Sequence, residues 1–264
     1  MVITTYNEEK NIGNVLKSLL NQTAECRILI VDSESTDNTA RIAMEIDSER
    51  IRVIVKKCRR GEGRNIGVEN AESEKIIFTD ADAIPDKDWV ERMSKALDEN
   101  DLVAGITKQE GPKRYSKYGR VELFFKGYEI TAPSMNLAVR KSFFLNAGGF
   151  DTRFVTAEDI DLNLRLVRNN ARSMICRECT VVHNTRNRFV PFMKQAFWNG
   201  YGRGQLRFKN REIWESIEKG KAKRNEIDLL WFLRNASAVS GYLLFLINGR
   251  GEFSSRLPSK DHSV

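Results

Sequence analysis

The sequence predicts an α/β fold with a mostly parallel central sheet. Short apolar, largely β-branched runs alternate with stretches of helical periodicity, and two of these runs end on carboxylates, Asp32 and Asp80. Continuous apolar runs of this kind mark strands buried on both faces of a sheet. At 264 residues, with 41% hydrophobic and 30% charged residues, the chain is long enough for a sizeable core and has a globular composition.

The predicted elements follow in order. A strand over Val2 to Thr5 breaks at Tyr6-Asn7-Glu8-Glu9, and a helix with apolar positions Ile12, Val15, Leu16, Leu19 and Leu20 completes a first β-α unit. A second strand over Arg27 to Val31 ends on Asp32 and a loop of small polar residues before a helix over Ala40 to Ile46. A third covers Ile51 to Val55. The glycines of Gly61-Glu62-Gly63-Arg64-Asn65-Ile66-Gly67 then lead into a helix toward Ala71. This stretch resembles a dinucleotide fingerprint but follows the third strand, not the first, which argues against a Rossmann dehydrogenase. Its glycines and a helix start beside Arg64 would suit a phosphate or a base.

Ile76-Ile77-Phe78-Thr79 is the fourth strand, and Asp80-Ala81-Asp82 follows at its carboxyl end, the edge at which open α/β sheets bind ligands. Two carboxylates around one small residue face one volume and call for a cation. Hard oxygen donors suit Mg²⁺ or Mn²⁺ with open positions for diphosphate oxygens. The plainer role, capping the next helix over Lys87 to Leu97, suits Asp86 and Asp88 better. Leu102 to Ile106 reads as another strand. Tyr115, Tyr118, Phe124, Phe125 and Tyr128 then offer rings either for stacking on a sugar or apolar acceptor or for the core. Pro133 to Arg140 reads as a strand entering a helix over Lys141 to Asn146, stopped by Gly148-Gly149. Thr156 to Leu166 is a helix whose first turn holds Glu158, Asp159 and Asp161, more acid than the macrodipole requires. A carboxylate held there suits proton abstraction from an attacking hydroxyl.

Four cysteines give no disulfide framework, in keeping with a reducing compartment. Cys176, Cys179 and His183 have zinc-like spacing but lack a fourth ligand nearby, so buried structural thiols are expected. The chain opens on a strand and not on a secretory leader, which leads to the expectation of a cytoplasmic protein. The net charge of +7 is concentrated: Thr185 to Arg224 holds eleven Lys and Arg against three Glu.

Taken together, Thr5-Tyr6-Asn7-Glu8-Glu9, Ile30-Val31-Asp32-Ser33, Gly63-Arg64-Asn65-Ile66-Gly67, Asp80-Ala81-Asp82, Asn136-Leu137-Ala138-Val139-Arg140 with Gly148-Gly149-Phe150-Asp151, and Glu158-Asp159 resemble a family 2 glycosyltransferase. The resemblance covers residues 1 to about 185. It implies the GT-A fold, a Rossmann-like sheet flanked by helices. It also implies an inverting transfer from a nucleotide-diphosphate sugar to a hydroxyl with Mn²⁺ or Mg²⁺. By position, Tyr6 and Glu8 would border the nucleoside, Asp32 would read the base, and Arg64 would lie by the nucleotide. Asp80 would approach the ribose, Asp82 would ligate the metal, Asp159 would be the base, and His183 would complete the metal shell. The opening departs from the family by carrying threonine, Thr4 or Thr5, where proline is usual.

A sugar-phosphate nucleotidyltransferase would place a Gly-rich basic loop after the first strand, where this chain has Tyr6-Asn7-Glu8-Glu9. A non-catalytic nucleotide-sugar-binding protein would not need both Asp82 and Asp159. The basic run has no recognised nucleic-acid-binding fold, so no nucleic acid is expected as a partner. Residues 186–264 are expected to form a basic, helical C-terminal extension to a catalytic domain over 1–185. Gln195-Ala196-Phe197-Trp198 matches the processive polymerases too loosely to imply a polymerase. The mixture of cations and rings suits anionic headgroups. Leu229 to Ile247, interrupted by Arg234, suits an interfacial or self-packed helix better than a span. The expected acceptor is thus a glycan or a lipid-linked one, at the inner face of the cell membrane.

Overall fold

The computed structural model describes residues 1–46, 49–118, 121–184, 188–220 and 227–255. The first half contains β1 (Val2–Thr5), α1 (Ile12–Leu20), β2 (Ile28–Asp32), α2 (Thr39–Glu45), β3 (Ile51–Val55), α3 (Arg60–Glu69), β4 (Lys75–Asp80), β5 (Ala83–Pro85), α4 (Trp89–Glu99) and β6 (Leu102–Glu110). It continues with α5 (Lys113–Ser116), β7 (Leu123–Phe125), β8 (Tyr128–Glu129), β9 (Leu137–Arg140), α6 (Lys141–Asn146), α7 (Glu158–Arg168) and β10 (Ser173–Asn184). The C-terminal part holds α8 (Phe189–Lys209), β11 (Glu218–Lys219), α9 (Leu229–Leu244), a π-turn over Phe245–Gly249 and α10 (Arg250–Ser255).

An eight-stranded sheet has the order β3-β2-β1-β4-β9-β6-β10-β5, and β11-β7-β8 form a small second sheet. β3, β2, β1 and β4 are parallel, as are β6 and β10. β9 runs antiparallel between β4 and β6, and β5 runs antiparallel at the edge. The predicted α/β class and mostly parallel sheet are what the chain adopts. Strand alternation divides the core. Val2, Leu29, Ile76 and Phe78 face α6 and α7, whereas Ile3, Ile28, Ile30 and Ile77 face α1 and α4.

Several local expectations need correction. The glycines of residues 61–67 lie inside α3 and not in a loop before it. They are there for proximity: a Cβ on Gly67 would collide with Val2, and one on Gly63 would crowd Thr4 and Cys58. Neither Asp86 nor Asp88 caps α4 with its side chain. The Asp86 carbonyl accepts from Trp89 N at 3.1 Å, and Asp88 pairs with Arg92 at 2.5 Å. The first part of the strand expected from Pro133 is a 3₁₀ turn over Ser134–Asn136. Fully buried Asn136 there accepts from Trp89 Nε1 at 2.8 Å and donates to the Ile106 and Cys179 carbonyls, both at 3.1 Å, locking α4, β6 and β10 together. The thiol expectation fails, because Cys176 and Cys179 form a disulfide. The link falls in a bulge of β10 between Cys176 and Thr180, where the Cys176 and Cys179 Cα atoms are 5.3 Å apart.

Tyr115, Tyr118, Phe125 and Tyr128 are buried, so the core reading holds for them and sugar stacking does not. Tyr115 and Tyr118 pack with Phe192 of α8 and Leu230 of α9. The helices of the C-terminal part seat on small residues. A Cβ on Gly200 would strike the Ala238 carbonyl, one on Gly241 the Phe197 carbonyl, and one on Gly202 Thr156 just before α7. Lys209 of α8 bonds Asp151 at 2.7 Å and Asp161 at 2.8 Å. The expected boundary at 185/186 and the basic residues Arg186 and Lys221 to Arg224 lie outside the described residues.

Candidate active site

At the carboxyl edge of β1 and β2, two loops interlock. Asn7, with φ of 56°, accepts from Thr36 N at 2.8 Å, and Glu8 N donates to Thr39 Oγ1 at 2.7 Å. Beside them lies a pocket of about 270 Å³ lined by Thr4, Thr5, Tyr6, Val31, Ser33, Cys58, Arg59 and Arg60. Tyr6 is 56% exposed at its mouth. Asp32 does not line it. Its carboxylate is wholly buried, with Oδ1 accepting from Ser35 N at 2.8 Å and Oδ2 from Ser35 Oγ at 2.6 Å. Through these two bonds Asp32 holds the Ser33–Ser35 loop beside the pocket.

Three segments distant in sequence meet at Arg64. Its guanidinium, 1% exposed, bonds Asp80 Oδ1 at 2.7 Å and Glu158 Oε1 at 3.1 Å and lies over the Phe150 ring at 5.3 Å. A buried cation is tolerable only when so paired. Asn65 fixes the same junction, exchanging two 2.8 Å bonds with the Phe150 backbone. Burial alone would raise the Asp80 carboxyl, but Arg64 and Arg60 outweigh it and hold the group below its usual value.

Asp82 and His183 are brought together by strand register. His183 on β10 pairs with Ala83 on β5, the residue after Asp82, and with Gln109 on β6. Asp82 Oδ2 lies 3.2 Å from His183 Nε2, and His183 Nδ1 lies 3.1 Å from Gln109 Oε1. The pair sets a carboxylate oxygen and an imidazole nitrogen side by side at the sheet edge, a donor set that suits Mn²⁺. Among the described residues no cluster of three or more His, Cys, Asp and Glu side chains occurs.

Asp159 completes the site. Ala157 adopts φ of 68°, a left-handed conformation that costs about 1 kcal/mol or more for a residue with a Cβ. This turn aims the first residues of α7 at the cluster. Asp159 accepts from Ile160 N at 2.9 Å and weakly from Ser134 N at 3.4 Å. Burial and the neighbouring Glu158 charge push its carboxyl up to about 6, against the pull of Arg64. Glu8 is also raised, by burial first and then by Asp82, Asp80 and Asp37 against its bond from Asn11.

The structure therefore gathers Arg64, Asp80, Asp82, His183 and Asp159 at one sheet edge, with Tyr6 and Glu8 beside them and Asp32 buried beside the pocket. Arg60 was missed. It opens α3 just before the glycines, lines the pocket, and feels Asp80, Glu158, Asp159 and Asp82. Gln109 and Glu158 were missed as partners of His183 and Arg64; only long-range register reveals them.

Residues 1–152 match the family model described as glycosyl transferase family 2. The chain belongs to glycosyltransferase family 2. It is 24% identical over 249 residues to glycosyltransferase AglE of Haloferax volcanii, covering 88% of this chain and 79% of that one. It is 25% identical over 284 residues to a Methanococcus voltae protein, covering 93% and 83%. That relative is named dolichyl N-acetyl-alpha-D-glucosaminyl phosphate 3-beta-D-2,3-diacetamido-2,3-dideoxy-beta-D-glucuronosyltransferase. Among solved structures, Staphylococcus aureus TarS 1–349 in complex with UDP-GlcNAc superposes with a TM-score of 0.65 at 19% identity, covering 98% of this chain and 75% of that one. The Pyrobaculum calidifontis mannosyltransferase PcManGT with GDP-Man and Mn²⁺ gives 0.66 at 19%, covering 96% and 76%. The fold is GT-A, the enzyme is a glycosyltransferase, and the nucleotidyltransferase alternative falls away.

Proposed function

We propose that this enzyme transfers a sugar, with inversion, from a nucleotide-diphosphate donor to the hydroxyl of a lipid-linked acceptor at a membrane surface. Asp159 supports this most strongly. A carboxyl near 6 at a helix start, beside the Arg64–Asp80 junction, is poised to accept a proton near neutral pH. In this reading residues 1–185 are the catalytic domain and 186–264 the extension that covers it. Tyr6 and Glu8 border the nucleoside, Asp32 fixes the loop beside it, and Arg64 holds Asp80 toward the ribose. Asp82 and His183 would hold Mn²⁺ or Mg²⁺, which when bound neutralises diphosphate charge. Asp159 takes the acceptor proton while the acceptor oxygen bonds the anomeric carbon. The bond from that carbon to the diphosphate oxygen breaks on the opposite face, and one displacement inverts the centre.

The Methanococcus voltae relative's name supports a lipid-linked acceptor. The membrane rests on α9. Its seam toward α8 is Leu230, Ser237, Gly241 and Phe245, while Leu229, Phe232, Leu233, Val239, Leu243, Leu244 and Ile247 are exposed. Its one charged residue, Arg234, is turned over the Tyr118 and Phe192 rings. The 21 residues Leu229–Gly249 have the length and composition to cross a membrane, with 17% of their apolar window buried. Arg188, Lys194, Arg207 and Arg250 of the same C-terminal part are exposed, and cations of this kind suit anionic headgroups. In this reading the enzyme is peripheral at a membrane surface, at the cytoplasmic face expected from its sequence.

A panel of nucleotide-sugars with and without Mn²⁺, read by thermal stabilisation and slow donor hydrolysis, tests the donor assignment. One base should stabilise in an Mn²⁺-dependent way, and stabilisation by none would contradict it. Flotation should recover the protein with anionic vesicles in preference to neutral ones. Equal recovery with both would remove the membrane.

A further inference from the structure

Among the described residues, Arg64, Asp80 and Glu158 satisfy one another at the site, whereas Arg203 has no ion pair. Arg203 lies on α8, next to Gly202, whose close approach to the Thr156 backbone fixes this part of the helix against the turn into α7. Its Nη1 is buried and has no hydrogen-bond partner among the described residues. The carboxylate whose field reaches it is Asp159, yet no ion pair joins them among the described residues. Burial works against this guanidinium's charge. Arg203 as a whole is partly buried, and the orphaned buried Nη1 of a cation is costly unless a ligand relieves it.

We propose that Arg203 binds a phosphate carried by the acceptor, next to the hydroxyl whose proton Asp159 takes. The inference rests on the glycosyl-transfer reading and narrows the acceptor to a phosphorylated one, such as the phosphodiester head of a glycosylated lipid. A planar guanidinium with free donors matches phosphate oxygens. A hydroxyl and not the phosphate is the nucleophile here, because a phosphate oxygen already ionised would give Asp159 no proton to accept.

Calorimetry on the full chain tests this with hexyl phosphate and inorganic phosphate as probes, against wild type, Arg203→Ala and Arg203→Lys. Wild type should bind hexyl phosphate, Arg203→Ala should bind it about 10-fold or more weakly, and Arg203→Lys should recover part of the loss. Nucleotide-dependent thermal stabilisation should be the same in all three proteins, which controls for folding. Absence of saturable hexyl phosphate binding to wild type up to about 10 mM would overturn the proposal, as would unchanged affinity in Arg203→Ala. Inorganic phosphate binding as tightly as hexyl phosphate would also overturn it, since the site would then be one for free anions. A wild type that binds hexyl phosphate but responds to no nucleotide-sugar would refute the donor reading and leave this site standing.

Discussion

Asp82 Oδ2 stands 3.2 Å from His183 Nε2 although 101 positions separate the two residues, and antiparallel pairing of β5 with β10 alone produces that contact. The pair offers one oxygen and one nitrogen donor at the carboxyl end of β4, where donor diphosphate would lie.

Asp82→Ala should abolish the Mn²⁺ dependence of donor binding, and His183→Ala should weaken metal affinity by about 10- to 100-fold without abolishing it. Calorimetric titration of the nucleotide-sugar with and without Mn²⁺ reads both. An Asp82→Ala protein with unchanged metal dependence would move the site elsewhere.

Asp159→Asn should keep donor affinity and slow transfer by about 10² to 10⁴, the range of a positioned general base. Wild-type kcat should fall as pH drops through about 6, because the carboxylate form is the active one. The stability effect has the opposite sign. A carboxyl raised above its unfolded value of 3.8 contributes stability below that value and loses it as pH rises through about 6. At pH 7 the Asn variant should therefore melt higher than wild type, and a lower melting temperature would contradict the burial-driven shift.

Arg64→Ala leaves Asp80 and Glu158 buried without their cation. The expected loss is about 3–5 kcal/mol in chemical denaturation, the cost of breaking a buried pair from one side. A loss below about 1 kcal/mol, the range of surface pairs, would mean that the junction is solvated.

Gly67→Ala should cost about 1–3 kcal/mol through collision with Val2, and Val2→Ala in the same chain should return part of it. Additive losses in the double variant would show that the two side chains do not meet.

Much of this arrangement was legible in the chain. Ile76 to Thr79 running into Asp80 and Asp82 marks a buried strand and a ligand edge because both signals are local, and Glu158-Asp159 before an apolar repeat marks a helix start. Features that depend on distant register were not legible. β5 is three residues long, and β10 shows strand character in sequence only over Thr180 to Val182, so neither the Asp82–His183 contact nor the role of Gln109 could be read. The Cys176–Cys179 pairing falls in a bulge that spacing does not encode. The glycines of α3 were misplaced because local propensity puts glycine in loops, whereas here proximity to β1 overrides it.

The central claim is a single inverting displacement assisted by Asp159. The anomeric proton coupling of the first-formed product, followed by NMR as wild type consumes an α-linked nucleotide-sugar, tests it most directly. A β-configured product from wild type is predicted. A product retaining the α configuration would contradict the account.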